Sequence, residues 1–259
     1  MIGIIPAAGS GTRMYPFTKA NPKELFPIER RAVIDHVIES LHKYMGVDKI
    51  LIIVGSHKGA IIDHVGSGGK DDSNDLSIAY LFQEERLGLA HAIYQAKNWI
   101  SEDFIVHAGD SFIHPKDELK DAVNIQRKEK PFATILVTEL EDPTHHGIVK
   151  VDNKNYLVDT FEKPTLEQAK SYKVGNKYLA LTAIYIFSPE IFSYIEKTPK
   201  GVKDEYQITD SIKLALKDGK KIRVVKIKGE YIDIGNWESV EKANEFFRNL
   251  KKEEKDVKK

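Results

Sequence analysis

The first half of the chain repeats one pattern: a short apolar run of strand length, then a segment with apolar residues at helical spacing. The runs are Ile2–Ala7, Ile50–Val54, Ile78–Phe82, Phe104–His107 and Phe132–Val137. Several are continuous instead of alternating, as strands covered on both faces require. Between them, Ile34, Val37, Ile38, Leu41 and Met45 share one helical face, as do Leu89, Ile93, Ala96 and Ile100. This alternation predicts an α/β fold, a mostly parallel sheet with helices on both faces.

The second half changes character. Gly147–Val151, Leu157–Phe161, Tyr178–Phe187 and Ile222–Ile227 read as strands with fewer helices between them. Helices are predicted at Pro189–Glu196, Ile208–Lys217 and Trp237–Leu250. The sheet is therefore expected to gain mixed or antiparallel strands. No Pro/Gly/Ser-rich linker divides the chain, so one domain over residues 1–250 is expected, followed by a frayed, solvated tail at Lys251–Lys259. Gly66–Asn74 reads as the most flexible loop.

Composition removes several functions. Lys plus Arg total 39 and Asp plus Glu total 39, so the chain lacks the net basic field of a general nucleic-acid binder. No apolar run approaches the ~18 residues of a membrane span. There is no cysteine, which excludes thiolate catalysis and Cys-zinc sites. The opening MIGIIPAAGSG has no basic segment ahead of its apolar run and does not read as a signal peptide, so a cytoplasmic protein is expected.

The most informative segment follows the first run. Gly9-Ser10-Gly11-Thr12-Arg13 has the makeup of a phosphate cradle, in which glycines let backbone N–H groups approach an anion. Met14 stands where a dinucleotide fingerprint needs its third glycine, and no G-x4-G-K-[ST] string occurs. From Ala7 to Ile28 the chain has no apolar periodicity. It carries Pro16, Pro22 and Pro27, and sets Arg13, Lys19 and Lys23 against one acid, Glu24. A long non-periodic segment inside a compact domain is usually functional, and three cations beside a glycine turn suit a polyphosphate.

The string PAAGSGTRMYPFTKANPKELFPI resembles the signature of the sugar-1-phosphate nucleotidylyltransferases, closest to the glucose-1-phosphate uridylyl- and thymidylyltransferases. The resemblance runs from Ile2 to about Phe247. It implies a Rossmann-like domain with a nucleotide-binding part at about 1–138, a sugar-binding part at about 139–235 and a C-terminal helix at about 236–250. It also implies Mg²⁺ as cofactor, a nucleoside triphosphate and a sugar 1-phosphate as partners, and a homo-oligomer. No β-helix extension follows by Lys259, so an appended acyltransferase is not expected.

Residue by residue, the resemblance assigns Ala8, Gly9, Gly11, Thr12, Gln83 and Gly88 to the nucleotide, with Gln83 on the base. A glutamine amide carries a donor and an acceptor, which complements the imide edge of uracil or thymine. Asp110 ends a buried strand at the edge where open α/β sheets bind ligands, and Asp233 ends a second, short strand; the resemblance makes both ligands of Mg²⁺. It assigns Gly147, Glu162 and Thr182 to the sugar and Lys163 to the sugar phosphate. Lys203 fits either that phosphate or a solvated loop. Arg13, Lys23 and Lys163 are the implied catalytic cations. His145 and His146 are not read as a metal site, because no third ligand lies at suitable spacing.

Three positions depart from the pattern. Ala183 stands where the family commonly has glycine, Ser111 replaces a frequent asparagine, and Asn236 replaces a common threonine. Asparagine and threonine both cap helices, so the helix from Trp237 is expected to start normally. The implied reaction joins a triphosphate to a sugar 1-phosphate with release of pyrophosphate. Another sugar, a non-catalytic nucleotide-sugar sensor and a dehydrogenase are the alternatives, the last opposed by the missing glycine. Uracil and thymine are not separated.

Overall fold

The computed structural model describes residues 1–68 and 75–257. Most of the loop read at Gly66–Asn74 lies outside the described residues. Strands are β1 (Gly3–Ala7), β2 (Pro27–Ile28), β3 (Arg31–Ala32), β4 (Lys49–Val54), β5 (Ser77–Phe82), β6 (Phe104–His107) and β7 (Ser111–His114). They continue as β8 (Ala133–Leu140), β9 (Gly147–Val151), β10 (Leu157–Glu162), β11 (Tyr178–Phe187), β12 (Ile222–Lys226) and β13 (Glu230–Asp233). The helices are α1 (Val33–Glu39), α2 (Lys58–Val65), α3 (Leu89–Tyr94), α4 (Leu119–Glu129), α5 (Leu166–Ala169), α6 (Ile191–Lys197), α7 (Ile208–Lys217) and α8 (Trp237–Val257).

Nine strands form one sheet. Its first half, β6-β1-β4-β5, is parallel throughout. The long strand β11 joins this to a mixed half: it runs antiparallel to β6, β8 and β9, while β12 lies parallel to β8. The expected α/β architecture, parallel first and mixed later, is therefore present. Successive side chains of β1 enter opposite cores, Ile4 with α3, α6 and α7, and Ile5 with α1, α2 and α4. That two-sided burial is why the run is continuously apolar.

The segment from Thr12 to Leu25 is more ordered than its lack of periodicity implied. It is built of three single-turn 3₁₀ helices at Thr12–Met14, Phe17–Lys19 and Lys23–Leu25. Met14 is fully buried in a third cluster with Phe112, Ile232, Ile234 and residues of α8. Prolines at 16 and 22 precede two of the turns and prevent a longer helix.

Helices α2, α4 and α5 have no counterpart in the sequence reading. Residues 251–257 continue α8 instead of fraying, because Lys and Glu are good helix formers and nothing there breaks the helix. Lys251 also pairs with Glu29 at 2.5 Å. The start of α8 is as expected, with the Asn236 side chain accepting from the Ser239 amide at 2.9 Å. No helix among the described residues is long and apolar enough to cross a membrane.

Candidate active site

All four parallel strands point their carboxyl ends toward one edge, where β1 leads into the glycine loop, β5 into Gln83 and β6 into Gly109-Asp110. A cavity of about 400 Å³ opens there. Its lining includes Gly9, Arg13, Lys23, Gln83, Gly88 and Asp110. Ala8, Gly11, Thr12 and Lys203 also reach it, whereas Lys19 does not, its ammonium lying over the Tyr15 ring.

The two acids expected to act together meet. In the β7–β13 ribbon Asp233 lies opposite Ser111, and the Ile234 amide donates to the Asp110 carbonyl at 2.8 Å. Burial and the neighbouring Asp110 push the Asp233 carboxyl up to about 6, against the pull of Lys23 and Arg13. Lys23 donates directly to Asp110 Oδ2. Burial alone would lower the Lys23 pKa, but Asp110, Glu24 and Asp233 together raise it. A Cβ on Gly235 would lie 3.2 Å from both an Arg13 guanidinium nitrogen and Asp233 Oδ2, so Arg13 reaches the same corner.

No cluster of three or more His, Cys, Asp or Glu placed to hold a metal occurs among the described residues. The pair Asp110 and Asp233 nevertheless suits Mg²⁺, which takes hard oxygen ligands, commonly one or two carboxylates with the rest from phosphate and water. The raised Asp233 pKa marks a site where adding a cation relieves repulsion between carboxylates.

The residues expected on the sugar side form a second cluster. Gly147 pairs with Glu162 across β9 and β10. Glu162 accepts from the Thr209 hydroxyl at 2.6 Å and pairs with the Lys163 ammonium at 2.8 Å. Lys163, Ala183 and Lys203 all hold left-handed backbone, with φ of 46°, 54° and 61°. Non-glycine residues are uncommon there, and such strain collects at functional sites. Thr182 is fully buried, and its hydroxyl donates to the Leu136 carbonyl at 3.0 Å.

Four further residues belong to the site without having been assigned a role from sequence. Arg86 and Glu205 line the cavity. Thr209 anchors Glu162. Glu24 is almost wholly buried beside Asp110, and its carboxyl is pushed up to about 7 by burial and by Asp110, opposed by Lys23. Glu24 lies in the non-periodic segment already marked as functional, and the charge of Arg86, just before Leu87-Gly88, is the signal for the other cation.

A profile of the Nucleotidyl transferase family matches residues 2–249. The chain is 31% identical over 249 residues to the bifunctional protein GlmU of Methanococcus maripaludis, covering 96% of this chain but 55% of that protein. The chain thus spans about half the length of that relative. It is 30% identical over 247 residues to the UTP–glucose-1-phosphate uridylyltransferase AglF of Haloferax volcanii, covering 95% and 96% of the two chains. Among solved structures, a UDP-glucose pyrophosphorylase complexed with UDP-glucose superimposes with a TM-score of 0.85 at 26% identity, covering 96% of this chain and 98% of that one. The resemblance carried by the glycine-loop string therefore extends through the whole fold, and the chain belongs to the nucleotidyl transferase family.

Proposed function

We propose that the protein joins UTP or dTTP to glucose 1-phosphate, giving the nucleotide sugar and pyrophosphate. The observation that carries this reading is that Asp110 lines the same cavity as the glycine loop and Gln83, while the β7–β13 pairing sets Asp233 beside it. In the proposed reaction a phosphate oxygen of the sugar phosphate attacks the α-phosphorus of the triphosphate. That nucleophile, with a second pKa near ~6, is largely a dianion at neutral pH and needs no general base. The work lies in holding two anions in line and stabilising the charge that develops.

Arg13 and Lys23 neutralise the triphosphate and the departing pyrophosphate in this scheme. Lys163, with Lys203, steers the attacking phosphate. Ala8, Gly9, Gly11 and Thr12 cradle the nucleotide, Gln83 and Gly88 receive its base, and Gly147 and Glu162 meet the sugar hydroxyls. Asp110 and Asp233 are the residues that would hold Mg²⁺, which would supply positive charge to offset what develops on the phosphates.

A second reading keeps the chemistry but takes another sugar, N-acetylglucosamine or mannose 1-phosphate. It draws on Ala183, which departs from the expected glycine within β11. One assay separates these readings: pyrophosphate release measured for UTP and dTTP against a panel of sugar phosphates, with and without Mg²⁺. Release with glucose 1-phosphate and Mg²⁺ is expected. Release only with another sugar selects the second reading, and no release with any pair rejects both.

A further inference from the structure

We propose that His91 is a positioning residue for nucleotide choice, acting through Gln83; this rests on the reading of Gln83 as the base contact. Gln83 is buried just beyond β5, and its side-chain nitrogen lies 2.8 Å from His91 Nδ1 and 3.4 Å from the Gly88 carbonyl. A carbonyl oxygen only accepts, so the amide atom between these two groups is the NH₂, and both of its hydrogens are engaged within the protein. The His91 proton then sits on Nε2. The half-exposed Gln95 amide lies 3.2 Å from that nitrogen and can turn its oxygen to it, giving up its own bond to the His91 carbonyl.

The consequence is chemical. With its nitrogen engaged, Gln83 has only an acceptor oxygen left for the cavity. Uracil and thymine present an N3–H donor to such an oxygen, whereas cytosine presents a bare N3 acceptor. Without a partner at Nδ1 the amide is held in that orientation only by the long contact to Gly88, and it can turn over to present either group. His91 therefore converts a glutamine able to read either edge into a reader of the imide edge. A site built on a committed hydrogen bond discriminates far more strongly than one built on shape.

The test uses the full-length protein and kcat/KM for UTP and CTP. In His91→Leu the preference for UTP should fall about tenfold, with the loss in KM for UTP and kcat within about twofold. His91→Gln, which keeps an acceptor oxygen, should recover part of the preference. Wild-type protein should use N3-methyl-UTP at least about tenfold less well than UTP, a measurement that needs no variant. An unchanged preference in folded His91→Leu, when Gln83→Leu abolishes it, overturns the role of His91 and leaves the base contact standing. An unchanged preference in Gln83→Leu overturns the base contact itself. Equal use of N3-methyl-UTP and UTP overturns the proposed amide orientation.

Discussion

The amide of Ile234 donates to the carbonyl of Asp110 at 2.8 Å, one residue beyond the ladder in which Asp233 faces Ser111. Two acids from distant parts of the chain are thereby fixed side by side by backbone bonds. The backbone does that positioning, so the carboxylates are not needed for it, and that of Asp110 takes the Lys23 ammonium instead. The ribbon rests on Met14, Phe112, Ile232 and Ile234 in one apolar cluster, which couples it to the turn that carries Arg13.

Asp110→Asn and Asp233→Asn should each lower turnover by about 10²–10³, the usual effect of removing one oriented electrostatic contact. Both variants should stay folded. In chelator at pH 8, Asp233→Asn should melt no lower than wild type, since its charged form is disfavoured by burial and by Asp110. Pyrophosphate release and thermal unfolding check both statements. Near-normal turnover in either folded variant would remove the pair from the mechanism.

Glu24 gives the folded protein a distinct pH response. Its carboxyl is pushed up from 4.5 to about 7 by burial first, then by Asp110. Between those values the unfolded chain has lost a proton that the folded protein keeps, so this contribution falls as pH rises from 4.5 through 7. Glu24→Gln carries no such proton. Compared with wild type it should show little change at pH 4 and a gain of about 3 kcal/mol by pH 8, taking about 1.4 kcal/mol per pKa unit. Denaturant melts at the two pH values measure it, and equal gains at both would place the effect elsewhere.

Ala183 holds φ of 54° inside β11, where its carbonyl accepts from the Ala108 amide at 3.1 Å. L-residues with a Cβ pay roughly 1–2 kcal/mol for that conformation, and glycine does not. Part of this gain is offset by the greater freedom of glycine in the unfolded chain. Ala183→Gly is expected to stabilise the protein by about 0.5–1 kcal/mol in chemical denaturation. A loss of stability would show that packing of the methyl outweighs the strain.

Gly88→Ala should do the opposite. Gly88 sits at φ of 97°, and an added Cβ would lie 2.7 Å from the Tyr206 carbonyl oxygen. That carbonyl accepts from Ala90 while the Tyr206 amide donates to Leu87, so the backbone cannot give way without breaking both bonds. A destabilisation of about 2–3 kcal/mol is expected, with a raised KM for nucleotide. Unchanged stability and KM would mean that the 198–207 loop is not held there.

The layout of the sheet, the glycine loop and the strand-end positions of Gln83 and Asp110 were legible from residue order, because each rests on a local rule. Continuous apolar runs mean two covered faces, and glycines with cations mean an anion. The bond from the Thr182 hydroxyl to the Leu136 carbonyl was not legible, because a threonine in an apolar strand looks the same whichever group its hydroxyl faces.

The sequence by itself determined that this chain builds a two-sided α/β sheet with an anion-binding turn at the end of its first strand, since burial and backbone freedom act over a few residues. The resemblance paired Asp110 with Asp233, but only the tertiary structure showed the ladder that sets them together, buried Glu24 beside Asp110 and turned His91 to Gln83. The physical reason is range: β7 and β13 are four residues each, too short to show a period. Their pairing is paid back only when chain ends far apart in sequence close on a common apolar cluster.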